Sequence, residues 1–550
     1  MRRYRIAVIA MLYLVLIAGF SLYSVHYGLP FEGLPPAGFW NGSRESGASG
    51  VNGYGVSASH HLAVDVGMEI LRRGGNAVDA AVAVGYALGV VEPYASGLGG
   101  GGVSIVYPAG GGEPLLFDYR ESAPLSGGLP AGYVGVPGFV RGMAELHEKY
   151  GRLPFAELIE PAIRLAEEGF AVDRYLAERL ADSRYRLPVH ELPHFYPGGK
   201  PLQAGELLVQ KELAETLRRL RDEGPSIFYE GDLAAVMAAR VAGLEIADLQ
   251  AYRVEVKEPV HKQIAGYDFY SVPAPFSGTT LLQMVELAQR QGLLETDNRV
   301  DYIAAMAEII RTCYRDRAAR IADPAYFAVD DLNLVGDGHL EELQARLSAE
   351  TSGTAFPDPD LEEDKDGNTT HFTIVDSEGT MVSTTHSISQ FFGAAVYVDG
   401  YFMNNQLRGF ARSERSPNRP EPGKRPRSYI APVIMARDGK PYMGVGTPGG
   451  KWIPMVLSQV IVNFLRGGDL QEAVAKSRFY LYDDDLLYLD GEISRQEREE
   501  LRRRGYHVFV LDKPIATAVQ GLVLDHERDR LYGASEYHRA GRWSVEPVSR

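Results

Sequence analysis

The stretch from Asn368 to Ile388 constrains the fold more than any other. A polar, acidic and turn-prone run, Asp360 to Gly367, gives way to Asn368-Thr369-Thr370-His371-Phe372-Thr373-Ile374-Val375, where β-branched residues accumulate as they do in strands. Asp376-Ser377-Glu378-Gly379 supplies turn residues, and a second strand follows over Met381 to Ile388. A turn centred on Glu378 sets Thr369 opposite Ser387 on the same face of the hairpin, so two hydroxyls meet at its open mouth. A threonine hydroxyl is a poor nucleophile until a base takes its proton, and an N-terminal threonine can use its own amine for that purpose. Cutting the Asn368-Thr369 bond creates such an amine. Spacing alone leaves a plainer reading open, in which Thr369 and Thr370 are only β-branched strand residues.

Elsewhere the pattern is mixed. Leu62, Val64, Met68 and Leu71 recur at helical spacing over His61 to Arg73, Gly74-Gly75 stops that helix, and Asn76 is placed to cap a second, Ala77 to Val90, rich in Ala, Val and Gly. The run Gly97 to Gly102 leads into a strand, Val103 to Tyr107. With no GK[ST] after it and no GxGxxG opening a helix, it is not a phosphate cradle. Helical segments dominate Arg141 to Glu350; a strand over Tyr442 to Val445 and a helix over Val456 to Leu465 come later. This order predicts an α+β architecture of sandwiched sheets with helices outside.

The 550 residues carry a net charge of -16, which disfavours nucleic acid as a partner. The single cysteine, Cys313, permits neither an intrachain disulfide nor a multi-cysteine metal site. His60, His61, His371 and His386 form no HExxH or comparable set, and no GxSxG elbow is present, so neither a metal, another cofactor nor a serine triad is expected. At the N-terminus Arg2, Arg3 and Arg5 precede an apolar run from Ile6 to about Val25, close to the ~20 residues that cross a bilayer. Without a small-x-small cleavage site before Gly28, residues 1–28 read as an uncleaved anchor rather than a removed signal, with the rest of the chain outside the cytoplasm. Residues 29–57, rich in Gly, Pro and Ser, read as a tether.

Several ordered stretches then resemble the gamma-glutamyltransferases: residues 71–93, SGLGGGG (96–102), FDYRESAP (117–124), residues 135–170, TTHFTIVD (369–376), MNNQ (403–406) and GTPGG (446–450). The resemblance implies a four-layer αββα Ntn-hydrolase sandwich, made as a precursor that cuts itself into a large chain, 58–368, and a small chain, 369–550, that stay associated. It also implies roles. Thr369 matches the nucleophile, and Asn368-Thr369 the cleaved bond. Ser387 stands where a supporting threonine is common. Gly449 and Gly450 match the oxyanion hole, where losing one donor costs ~10²–10³ in rate. Arg120 matches the clamp on the donor carboxylate, Gln406 a residue that holds the donor amine, and Ser428 the first of a serine pair on the carboxylate.

Three donor-site positions depart from the family pattern. Gly409 stands in place of the aspartate that pairs with the donor α-amine, Ser389 in place of an asparagine, and Tyr429 in place of the second serine. An ammonium buried without its counter-charge is destabilised. The departures therefore point, beside γ-glutamyl amides, to glutaryl-type amides or to poly-γ-glutamate, with water or an amine as acceptor. A shortened segment between MNNQ and Ser428 implies an open cleft. Arg408, Arg412, Arg415, Arg419, Lys424, Arg425 and Arg427 form a basic strip there, either solvated or guiding a polyanionic substrate. A third reading is a self-processed binding protein without turnover.

Overall fold

Period-two alternation in the hairpin strands decides how the layers stack. Phe372 and Ile374 are fully buried in a core shared with helices, whereas Val375 and, across the turn, Met381 are buried in a second core shared with another sheet. The neighbouring strand repeats the division: Val103, Ile105 and Tyr107 belong to the sheet-side core and Val106 to the helix-side core. A strand with two apolar faces has to be sandwiched. The structure is a computed structural model that describes residues 48–349, 367–482, 485–511, 515, 517–536 and 539–548.

The hairpin, Gly367–Val375 with Met381–Gln390, lies at the centre of a seven-stranded antiparallel sheet. Tyr54–Ala58 and then Arg542–Glu546 flank its first strand; Gly101–Tyr107, Leu115–Tyr119 and Glu255–Lys257 follow its second. Against it packs a six-stranded antiparallel sheet that runs Arg530–Ser535, Gln520–Asp525, Lys440–Gly446, Val433–Arg437, Tyr267–Ser271, Val260–Ile264. Helices His61–Arg72 and Ala77–Val91 cover the outer face of the first sheet, and Gly278–Arg290, Arg299–Arg320 and Ile453–Leu465 that of the second. The result is the expected α+β sandwich in four layers, αββα. Ala77–Val91 is buried along nearly its whole length, which its small side chains allow. Asn76 caps it by accepting from Val78 N and Asp79 N, and Asn76 N in turn donates to the Asp79 carboxylate at 3.0 Å.

Helical segments dominate 141–350 as expected, interrupted by an edge hairpin of Val260–Ile264 and Tyr267–Ser271. Its two-residue turn has positive φ at Ala265 (51°) and Gly266 (80°), the turn geometry that matches strand twist. One expectation needs correction. The folded body begins before Ala58: Tyr54–Ala58 is an interior strand, and Ser49 bridges to Leu531. Its small side chains resemble the preceding tether in composition, and only the partners on either side make it a strand. The anchor reading of 1–28 and the tether residues 29–47 fall outside the described residues. Among those described, no helix is long and apolar enough to cross a membrane.

A three-stranded sheet, Phe479–Leu481, Leu486–Leu489 and His507–Val510, rests on the outer helix Arg299–Arg320.

Candidate active site

The hairpin register follows from the turn. Val375 pairs with Met381 and the ladder runs unbroken to Thr369 opposite Ser387, where a bulge shifts it and sets Ser389, at φ 76°, opposite Asn368. The bulge folds the strand back on its own side chain, so that Ser389 N donates to Ser387 Oγ at 2.9 Å while that hydroxyl donates to the Asn368 carbonyl at 2.7 Å. Asn368 is itself fixed, its Nδ2 on Tyr94 O at 2.6 Å and its Oδ1 accepting from Thr369 N at 3.0 Å. On the other side of the peptide bond, Arg539 Nη1 donates to Thr369 O at 2.7 Å. Asn368, Thr369 and Ser387 are all buried.

The second sheet approaches this face closely enough to require glycine. A Cβ on Gly446 would stand 2.4 Å from the His371 ring, and one on Gly444 would stand 2.6 Å from Thr373 Cγ2. The strand that ends at Gly446 runs into Thr447-Pro448-Gly449-Gly450, with φ of 137° at Gly449 and 54° at Gly450. The turn Gly450–Trp452 touches the strand that bears Thr369. Ala518 N donates to Thr447 Oγ1 at 3.1 Å, and Thr517 packs on Gly449.

Two histidines lie behind these groups. His371 bonds Thr385 Oγ1 through Nδ1 (2.8 Å) and Thr373 Oγ1 through Nε2 (3.2 Å), and His386 Nε2 bonds the Tyr119 hydroxyl (2.7 Å). Burial pushes both down to a pKa of about 3. They are neutral supports of the hairpin, too weakly basic to take a nucleophile's proton at neutral pH.

The remaining candidates sit around the mouth. Gly101 pairs with Ser387 and has no side chain; the Glu121 carboxylate fills the space, 2.9 Å from where a Cβ would be. Arg120 stands beside it, Nη1 to Glu121 Oε2 at 3.3 Å, both side chains almost wholly buried. The segment carrying Gln406 docks on the second hairpin strand through Asn405 N to Ile388 O (3.2 Å) and Gln390 N to Asn405 Oδ1 (3.0 Å). At Gly409 a Cβ would meet Arg427 O at 3.1 Å and Gln406 Nε2 at 3.4 Å, so an aspartate has little room there.

Ser428 is tied to the second helix layer: its carbonyl accepts from Ser277 Oγ (2.9 Å) and Arg317 Nη2 (3.1 Å), and its Oγ accepts from Ile430 N (3.3 Å). Tyr429 stacks on Tyr314 under the Arg317 guanidinium, which lies 4.1 Å from its ring centre. Tyr314 in turn donates to Lys451 O beside Gly450. Tyr429 is thereby linked to the glycine turn through Tyr314.

The basic strip divides in two. Lys424 is buried on Glu421 and Pro417 O, Arg425 on Glu255 and Arg253 O, and Arg427 on Ala318 O, so these three hold the fold. Arg408, Arg412 and Arg419 line a groove of about 630 Å³ with Tyr133 and Phe410, and Arg415 stands outside it.

The sequence did not point to Arg539, which reaches Thr369 from 170 residues away and is fully buried against the Tyr175 ring. Nor did it point to the buried chain from Glu92 through Ser59 to Thr370. Neither lies in a local motif; only the sheet order brings them together.

The family model described as gamma-glutamyltranspeptidase matches residues 63–545. The capsule biosynthesis protein CapD proenzyme of Bacillus anthracis is 40% identical over 493 residues, covering 89% of this chain and 90% of that one. The glutathione hydrolase proenzyme of Bacillus subtilis (strain 168) is 32% identical, covering 88% and 90%. The crystal structure of a cephalosporin acylase from Bacillus halodurans superposes with a TM-score of 0.83 at 25% identity, covering 94% of this chain and 99% of that chain.

Proposed function

Since this chain belongs to the gamma-glutamyltranspeptidase family, we propose that it is made as a precursor that breaks its own Asn368-Thr369 bond and then cleaves γ-glutamyl amides through an acyl-enzyme on Thr369. The observation that carries this reading is the Ser387 hydroxyl on the Asn368 carbonyl, one peptide bond from the Thr369 side chain. A donor on that oxygen polarises the carbonyl that the Thr369 hydroxyl attacks during self-cleavage. Attack breaks the Asn368-Thr369 amide bond, passing the hydroxyl proton to the departing Thr369 amine and leaving the Asn368 acyl group as an ester on Thr369 Oγ1; water then hydrolyses that ester to the Asn368 carboxylate and the free Thr369 hydroxyl. The freed α-amine then serves as the base for that hydroxyl.

In turnover the substrate carbonyl takes the place of the Asn368 carbonyl. The Gly449 and Gly450 amides stabilise the oxyanion, Arg120 holds a carboxylate of the donor, and Gln406 and Ser428 complete the pocket. The amine leaves with a proton from Thr369, and water or a second amine takes the acyl group. The two chains stay together after the cut because strands of one pair with strands of the other: Tyr54–Ala58 with Gly367–Val375, and Gly101–Tyr107 with Met381–Gln390. The N-terminal arginines and apolar run support an anchored enzyme facing outward.

Acid quench during turnover of a γ-glutamyl anilide, followed by peptide mapping, tests the acyl-enzyme. The adduct belongs on the peptide that begins at Thr369; an adduct elsewhere contradicts the proposal.

A second reading of the donor, glutaryl-type or poly-γ-glutamate, draws support from the limited room at Gly409 and from the arginine-lined groove beside the Gln406 segment.

A further inference from the structure

A cavity of about 270 Å³ lies between the start of Arg299–Arg320, the end of Ile453–Leu465 and the small sheet, and shares no lining residue with the hairpin or the glycine turn. Among the described residues four cations line it, Arg299, Arg466, Lys476 and Arg478, against one carboxylate, the exposed Asp297. Carboxylates outside the lining engage two of these: Glu536 and Asp490 hold part of Arg478, and Glu497 lies 3.8 Å from Arg299. Arg466 gives one nitrogen to Thr296 O and lies over the Tyr302 ring.

What remains is a set of donors without acceptors. Among the described residues, the buried Tyr302 hydroxyl has no hydrogen-bond partner, and neither does Nη1 of Arg478, a residue only 4% exposed whose Nε faces Asp490 at 3.5 Å. Buried donors left unmatched are costly, and native structures match them with protein, water or ligand. The 22-residue helix Arg299–Arg320 adds the partial positive charge of its N-terminus at the same wall. The residues that carry these donors, the other cations and the helix start together line a space large enough for a small molecule rich in acceptor oxygens.

We propose that this cavity is a second, non-catalytic site that binds a small oxyanion, recognised by Tyr302, Arg466 and Arg478. It requires nothing of the donor pocket, so it stands or falls apart from the proposed reaction.

Calorimetric titration of the full-length protein with inorganic phosphate, at constant ionic strength, tests it. Wild type is expected to bind one phosphate per chain saturably. Arg466→Gln weakens binding at least tenfold, and Tyr302→Phe, which removes only the unmatched hydroxyl, weakens it about tenfold without lowering the thermal midpoint. Absence of saturable binding, or equal binding by wild type and both variants, overturns the proposal. If Arg466→Gln fails to fold, Tyr302→Phe alone decides.

Discussion

The Ser387 hydroxyl donates a 2.7 Å hydrogen bond to the carbonyl oxygen of Asn368, the residue that precedes Thr369. A bond that strengthens as negative charge grows on that oxygen favours the transition state of cleavage over the resting precursor. Ser387→Ala is therefore expected to slow self-cleavage about 10- to 100-fold, and Ser387→Thr, which keeps the hydroxyl, to restore most of it. A gel time course of freshly synthesised precursor measures both. Equal rates for Ser387→Ala and wild type contradict the assignment.

Arg539 holds the carbonyl of Thr369 before and after the cut, because that carbonyl is not part of the cleaved bond. Arg539→Met is expected to lower kcat about 10- to 100-fold with little change in KM, since what it loses is the position of Thr369 rather than a contact with the donor. A variant with altered KM and normal kcat would assign Arg539 to the donor pocket instead.

Much of this was legible in the sequence, and the reason is local. The pairing of Thr369 with Ser387 follows from one turn, and the strand Lys440–Gly446 and the cap at Asn76 from short patterns that carry their own chemistry. What was missed depends on distant partners. Tyr54–Ala58 is a strand only because Arg542–Glu546 and Gly367–Val375 flank it. The basic strip read as one feature because charge is visible in sequence and burial is not. Lys424, Arg425 and Arg427 proved to be structural once their partners, some more than 100 residues away, were in view.

The close approach of the sheets predicts a sharp contrast between two glycines. Gly446→Ala forces a methyl against the His371 ring and is expected to cost about 1–3 kcal/mol, lowering the thermal midpoint and activity together. Gly338→Ala, with nothing within 4 Å and helical neighbours, is neutral or slightly stabilising. Differential scanning calorimetry separates them, and equal midpoints contradict the packing described.

His371 and His386 are predicted to stay neutral in the folded enzyme well below their ordinary range. Their folded pKa, about 3, lies below the unfolded value near 6.5. The unfolded chain thus binds more protons between these values. Their neutral burial is tolerated in full above about pH 6.5, and stability is lost as pH falls below it, at up to about 1.4 kcal/mol per pH unit for each. Histidine ring NMR should show both unprotonated down to pH 4; titration near pH 6.5 contradicts their burial.

The groove lined by Arg412 and Arg419 distinguishes donor classes. Arg412→Ala with Arg419→Ala is expected to raise KM for poly-γ-glutamate about tenfold and to leave that for a small anilide nearly unchanged. Equal effects on both substrates exclude the groove as a polyanion guide.

The most direct test of the central claim is the intact mass of purified wild type beside Thr369→Ala. Wild type is expected to separate into two chains, the smaller beginning at Thr369, and the variant to remain one chain. A wild type that stays whole, or a variant that still splits before residue 369, contradicts that claim.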